Sequence, residues 1–231
     1  EVLPAFASLL VHFDALRTSS SQVERWCLEA IAAGSSEEDA EPPRQVSIPV
    51  CYGGEGGPDI EEVARITGLA SVEEVIRVHT GGDYRVNFLG FMGGFPYMSG
   101  LLAPLTSVPR LSTPRQKLPK GTVGIAGGQA GVYPLSSPGG WHCLGRTPMS
   151  LFDPSRDPPA LLKAGDLVKF VPSEATISEE EVVCEGPFPA HAKPWIEILS
   201  PGPMTTVQDL GRYGYARHGV SRSGAADDLA L

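Results

Sequence analysis

At 231 residues the chain is long enough for one large domain or two smaller ones. Hydrophobic residues make up 42% and charged ones 19%, which supplies a real core and excludes a disordered acidic chain, while 27 glycines and 22 prolines, about a fifth of the sequence against a usual share of roughly 12%, exclude an all-helical bundle. The net charge of −9 excludes nucleic acid and anionic membrane as expected partners, and four scattered cysteines with no C-x-x-C pair point to neither a metal site nor a disulfide framework, so a cytoplasmic location is expected.

Residues 8–13 place Leu9, Val11 and Phe13 on one face at period two and predict a strand. A helix follows, opened by a capping box of Ser21 and Glu24, striped by Val23, Trp26, Cys27, Ala30 and Ile31, and stopped at Gly34. After an acidic loop, residues 45–52 read as a strand broken by Pro49. One helix runs from Asp59 to Gly68 with Ile60, Val63 and Ala64 inward, and a shorter one runs from the capping box of Ser71 and Glu74 to a junction with a strand near His79. From there to residue 171, short β segments (YRVNFLGF, TVGIA, MSLF, DLVKFV) alternate with Gly/Pro turns, the spacing of a barrel or sandwich. The uncharged stretch 86–109 could span a bilayer by length, but its four glycines and three prolines make it a loop region. No signal peptide is visible before the first strand. Residues 172–195 read as a connector with a short strand at 181–184, and a strand at 196–199 opens a second, truncated module through residue 231. An unpartnered first strand and an unfinished helix at 225–231 predict a fragment of a longer polypeptide.

Chemistry concentrates in four places. The run GGDYRVNFLGFMGGFPYMSGL follows His79, and its glycines let backbone N–H groups approach a ligand or form barrel corners. His79 could move protons near neutral pH or be a packed residue. In PRLSTPRQKLPKGTVGIAGGQAGVYP, Arg110, Arg115, Lys117 and Lys120 gather positive charge, and Gly127, Gly128 and Gln129 add donors suited to an oxyanion or phosphoryl group; a solvated face is the alternative. SSPGGWHCLGRTP sets Gly139, Gly140 and Trp141 in a turn, where the indole serves a ligand ring or the core. TTVQDLGRYGYARHGVSRSGAADD groups Gln208, Asp209 and Arg212 at a polar site or an interface. Walker A, G-x-G-x-x-G, G-x-S-x-G and H-E-x-x-H patterns are absent from the sequence.

In order, His79-Thr80 before Tyr-Arg-Val, GFMGGFPYMSGL, PRLSTPR, VGIAGGQAGVYP, SPGGWHCLGRTP and GDLVKF resemble the allophanate hydrolase subunit 1 family. That family includes the B component of 5-oxoprolinase, a kinase-inhibitor branch and part of the carboxyltransferase domain of urea carboxylase. From residue 198 the text ILSPGPMTTVQDLGRYGYARHGVSRSG resembles the start of the companion family, allophanate hydrolase subunit 2 or the C component of 5-oxoprolinase. The family loop G-F-x-P-G-F carries Gly93 here in place of its Pro.

The resemblance implies a mainly β fold with α+β parts: a remnant of a small N-terminal α+β lobe (1–43), a cyclophilin-like β-barrel lobe (44–171), a linker (172–195) and the start of a module like the C component (196–231). It further implies an ATP-dependent opening of 5-oxo-L-proline to glutamate, with Mg accompanying ATP, a LamB/YcsF-like A component of 5-oxoprolinase as partner, and a hetero- or homo-oligomer. Under that reading His79, Arg115 and Gln129 are catalytic and Phe95, Tyr133, Gly139 and Gly140 hold substrate. Lys117, Gly127 and Gly128 hold phosphate, and Gln208, Asp209 and Arg212 join from the second module. The alternatives are a urea carboxylase-type carboxyltransferase working with biotin, and a non-catalytic binding module. His79, Arg115, Gln129 and Tyr133 are expected to converge on one concave wall.

Overall fold

The computed structural model describes residues 2–5, 7–34, 42–174, 199–200 and 211–221. The chain begins with a hairpin of β1 (Val2–Pro4) and β2 (Leu9–Val11), then α1 (Ser20–Ala33). Ser19, not Ser21, caps this helix: its hydroxyl accepts from the Gln22 N–H, because Ser19 holds the extended backbone that a cap needs. Of the expected stripe only Val23 is buried, and Ile31 is 75% exposed.

The next elements enclose the core: β3 (Gln45–Tyr52), α2 (Ile60–Thr67), α3 (Val72–Gly81), β4 (Tyr84–Leu89), β5 (Pro96–Ser99), β6 (Arg115–Leu118), β7 (Thr122–Ala126), β8 (Gln129–Val132), β9 (Ser137–Gly139), β10 (His142–Arg146) and β11 (Leu167–Pro172). Seven strands close a barrel in the order β10-β3-β11-β4-β5-β8-β7, and β6 pairs with β9 as a separate ribbon. The mainly β, α+β class expected from the sequence is the class observed.

Pro49 does not break β3. It sits opposite Val171 of the parallel neighbour β11, while β10 reaches β3 only at Cys51 and Tyr52, so the missing N–H falls where the ladder is one-sided. The segment MSLF forms no strand and contributes a single bridge, Phe152 to Ala160. Helix α3 takes its cap from Ser71, and Glu74 reaches back to the Ala70 N–H rather than to Ser71.

Alternation along β7, β8 and β10 separates two cores. Val123, Ile125, Ala130, Val132 and Leu144 point into the barrel, where Ile60, Val63, Val75 and Val78 of α2 and α3 join the same cluster. The opposite faces carry Ala126, Cys143 and, between them, glycines covered by Phe95, Leu118, Tyr133 and Trp141. The expected strands at 181–184 and 196–199, most of the linker, and Gln208 and Asp209 lie outside the described residues apart from Leu199.

Candidate functional site

The outer core of the barrel gathers Phe95, Tyr133, Gly139 and Trp141 from the residues singled out in the sequence. Phe95 lies edge-on to Tyr133 (centroids 5.0 Å apart) and Trp141 (5.6 Å), and tilts against Tyr97 (4.9 Å). The rings cover β7 and β8 because those strands present glycine there: a Cβ on Gly131 would lie 2.9 Å from Phe95 and 3.0 Å from Trp141. Gly139 packs against Tyr133 Oη and Leu118, so it closes the wall and offers no free backbone face, and the Gly140 carbonyl accepts from the Leu111 N–H at 2.8 Å. Trp141 is thus a core ring. Burial raises the Tyr133 hydroxyl to about 12 and keeps it a neutral donor at neutral pH.

Arg115 enters from β6, opposite Gly139. Its guanidinium grips the buried Asp59 carboxylate through both ends, at 2.9 and 2.5 Å, and Asp59 also accepts from the Cys143 N–H at 2.7 Å. Asp59 stands at the start of α2 yet caps no helical N–H with its side chain. Its carboxylate instead ties α2, β6 and β10 together, a role invisible in the sequence because its partners lie 56 and 84 positions away. The expected oxyanion cation is therefore already paired, with 34% of its side chain exposed. Burial first, then Asp59, pushes the Cys143 thiol up to about 12, which removes it as a nucleophile at neutral pH.

Gln129 opens β8 beside Ala126, and its side chain is buried with Nε2 lacking any hydrogen-bond partner among the described residues. A buried amide donor without an acceptor costs about 1–3 kcal/mol, and His142 Nδ1 and His79 Nε2 are buried in the same state. Arg110 is close enough to act on the charge state of both Tyr97 and Tyr133, so a cation stands at the edge of the aromatic wall. Lys117 is exposed on β6.

Gly127 and Gly128, expected to bind phosphate, form the two-residue turn of the β7–β8 hairpin with φ of 56° and 80°. The Gly127 N–H is committed to the Val108 carbonyl at 2.8 Å, so only Gly128 stays at the turn's tip.

His79 does not join the wall. It occupies the last turn of α3, fully buried among Tyr52, Tyr84 and Phe170, with Nδ1 2.7 Å from Tyr52 Oη and Nε2 unpartnered among the described residues. Burial pushes its pKa down to about 3, so the imidazole is neutral and faces no solvent-borne substrate. The expectation that it shares a concave face with Arg115, Gln129 and Tyr133 is corrected accordingly: α3 must turn a face to the barrel, and His79 lies on it.

Residues 90–95 form the edge of the wall. Phe91 holds a left-handed φ of 67° and is 63% exposed, an unfavourable pairing of conformation and bulk. Gly93, where the family loop has Pro, packs on Phe152, and a Cβ there would lie 2.9 Å from the ring. Segment 211–221 reaches this loop: the Gly94 N–H donates to the His218 carbonyl at 2.8 Å. Residues 218 and 219 thus meet the 89–94 loop, while Arg212 is exposed.

Residues 1–162 match the family described as carboxyltransferase domain, subdomain C and D. The chain is 50% identical over 182 residues to the B subunit of 5-oxoprolinase from Bacillus subtilis (strain 168), covering 74% of each. The crystal structure of TTHA0988 superposes with a TM-score of 0.72 at 36% identity, covering 97% of this chain and 43% of that one. Urea carboxylase of Kluyveromyces lactis shares the fold, with a TM-score of 0.56 at 20% identity over 75% of this chain and 18% of that one.

Proposed function

Because the chain belongs to the family of the carboxyltransferase domain, subdomain C and D, we propose that it is the B-type component of an ATP-dependent 5-oxoprolinase, followed by the beginning of a C-type module. The observation that carries the reading to a site is Gln129. A carboxamide offers one donor and one acceptor side by side, and the cis amide of a lactam offers the complementary pair. With Nε2 unmet, Gln129 supplies the donor for the lactam oxygen. Arg110, near enough to act on Tyr97, supplies the charge for the substrate carboxylate, and the part-exposed Tyr97 ring the apolar wall, backed from the core by Phe95.

A lactam carbonyl is a poor electrophile. Transfer of the ATP γ-phosphoryl group to its oxygen makes the ring carbon reactive. Water then adds, the ring C–N bond breaks to free the amine, and a second water releases phosphate from the resulting acyl phosphate. A donor at the lactam oxygen fixes the atom that receives the phosphoryl group. Arg115 holds the ribbon that carries this wall, and Lys117 and Gly128 are the groups of the phosphate reading that remain at the surface. Among the described residues no group of three or more His, Cys, Asp or Glu side chains could hold a metal ion, so Mg2+ would arrive on the nucleotide's own phosphates.

The test is coupled phosphate release from the full protein mixed with a LamB/YcsF-like A component. ATP hydrolysis should require 5-oxoproline, and Gln129→Met should lower turnover at least tenfold with a melting temperature no lower than that of the unsubstituted protein, since it removes an unmet buried donor. ATPase that responds to urea and not to 5-oxoproline would move the site to the biotin-dependent carboxyltransferase reading. Phosphate release by neither would leave a binding module.

A further inference from the structure

A cavity of about 750 Å³ lies between the β1–β2 hairpin, the barrel and the second-module segment. Leu3, Leu10, Phe88, Leu89, Leu161 and Leu162 make its body apolar. Its charged groups are not balanced. Arg44, Lys163 and Arg217 line it, and among the described residues Asp157 is the only acidic side chain that does. Arg44 is anchored by the buried Asp166 at 2.5 Å and by the Leu161 carbonyl at 2.6 Å, which fixes one cation in place but largely neutralises it. Among the described residues Lys163 and Arg217 have no ion-pair partner, although the chain as a whole carries −9. His218, held by the Gly94 N–H through its carbonyl, completes this side of the cavity.

A space of this size suits a drug-sized ligand, within the about 300–1,000 Å³ usual for such sites, and is far roomier than a five-membered ring acid requires. Apolar walls lined by two cations without an ion-pair partner among the described residues and by one acid, Asp157, select a molecule that is apolar at one end and anionic at the other, because a neutral apolar ligand would leave the cations unused and a small polar anion would leave the walls wet. We propose that this cavity is a second binding site, distinct from the Gln129 wall, for an organic monocarboxylate with an apolar body. Its carboxylate lies between Lys163 and Arg217, and its body lies along Phe88 and the Leu161–Leu162 stretch.

Titration calorimetry of the full chain with octanoate, and with octanamide as the uncharged control, tests it. Octanoate should bind and octanamide should bind at least tenfold more weakly. The double variant Lys163→Met/Arg217→Met should weaken octanoate at least tenfold, and Ala164→Trp, which narrows the cavity from an exposed position, should weaken it with the cations intact. Circular dichroism establishes that each variant is folded. Equal affinity for octanoate and octanamide, or unchanged octanoate binding in the folded double variant, overturns the proposal. Competition of 5-oxoproline for octanoate overturns it as well, by making this cavity the lactam site.

Discussion

Asp59 and His79 are both buried and both titratable, yet they act on stability in different ways. Asp59 is a charge kept buried by a partner, so removing the partner is costly. Arg115→Ala leaves its carboxylate with the Cys143 N–H alone, and should cost about 3 kcal/mol, the low end for a broken buried pair because Arg115 is one-third exposed. Urea unfolding checks this, and Asp59→Leu on the Arg115→Ala background should recover much of the loss. Without that check, lost activity in an Arg115 variant would be misread as lost catalysis. His79 is a base kept neutral by burial, with its pKa depressed from about 6.5 to about 3. The unfolded chain therefore binds a proton that the folded chain refuses, so stability is full above pH 6.5 and falls as pH drops through the window down to 3, by up to about 1.4 kcal/mol per pH unit. In urea titrations between pH 6.5 and 4, His79→Gln should flatten this slope, while lowering stability at pH 7. An unchanged slope would place the acid sensitivity elsewhere.

At the scale of elements, local signals are readable where the local rule also governs the tertiary structure. Asp59 to Gly68 starts and stops as predicted because the apolar stripe and the left-handed Gly68 stop agree with the barrel surface that the helix covers. Pro49 misleads because a proline's cost depends on whether a neighbouring strand needs its N–H, which sequence does not reveal. The expected meeting of His79 with Arg115, Gln129 and Tyr133 fails at His79, which is buried against the barrel on α3, and Asp59 as the partner of Arg115 is not legible, since only closure of the barrel brings α2 to β6. The GG pair before Gln129 resembles a phosphate loop because glycine serves both tasks. Its positive φ angles and the register of Ala126 with Gln129 identify a hairpin turn. Gly127→Asn should therefore be tolerated within about 0.5 kcal/mol, whereas Gly127→Val should cost about 1–2 kcal/mol, the usual penalty for a left-handed side chain. Equal losses for the two in urea unfolding would show that the position is sensitive to something other than backbone conformation.

On the scale of the whole molecule, segment 211–221 meets the barrel's 89–94 loop through a contact with no side-chain polarity of its own. Gly219 holds φ of 77°, and a Cβ there would lie 2.6 Å from the Met92 carbonyl oxygen and 3.1 Å from the Gly90 nitrogen. One residue earlier, the His218 carbonyl receives the Gly94 N–H. Both contacts fall on the loop that carries Phe91 and Phe95, so the segment holds in place the edge of the wall on which Gln129 lies. A side chain at 219 cannot be absorbed by a rotamer change, because its obstacles are backbone atoms, and the left-handed φ adds strain of its own. The segment must lift or the loop must move. The barrel core, which makes no use of residues 216–219, should survive. Gly219→Leu is therefore expected to leave the melting temperature within a few degrees and to raise amide exchange at residues 92–95 severalfold. It should also lower 5-oxoproline-dependent phosphate release in the assembled enzyme. Exchange that stays at the unsubstituted level would mean that the loop holds its form without the segment.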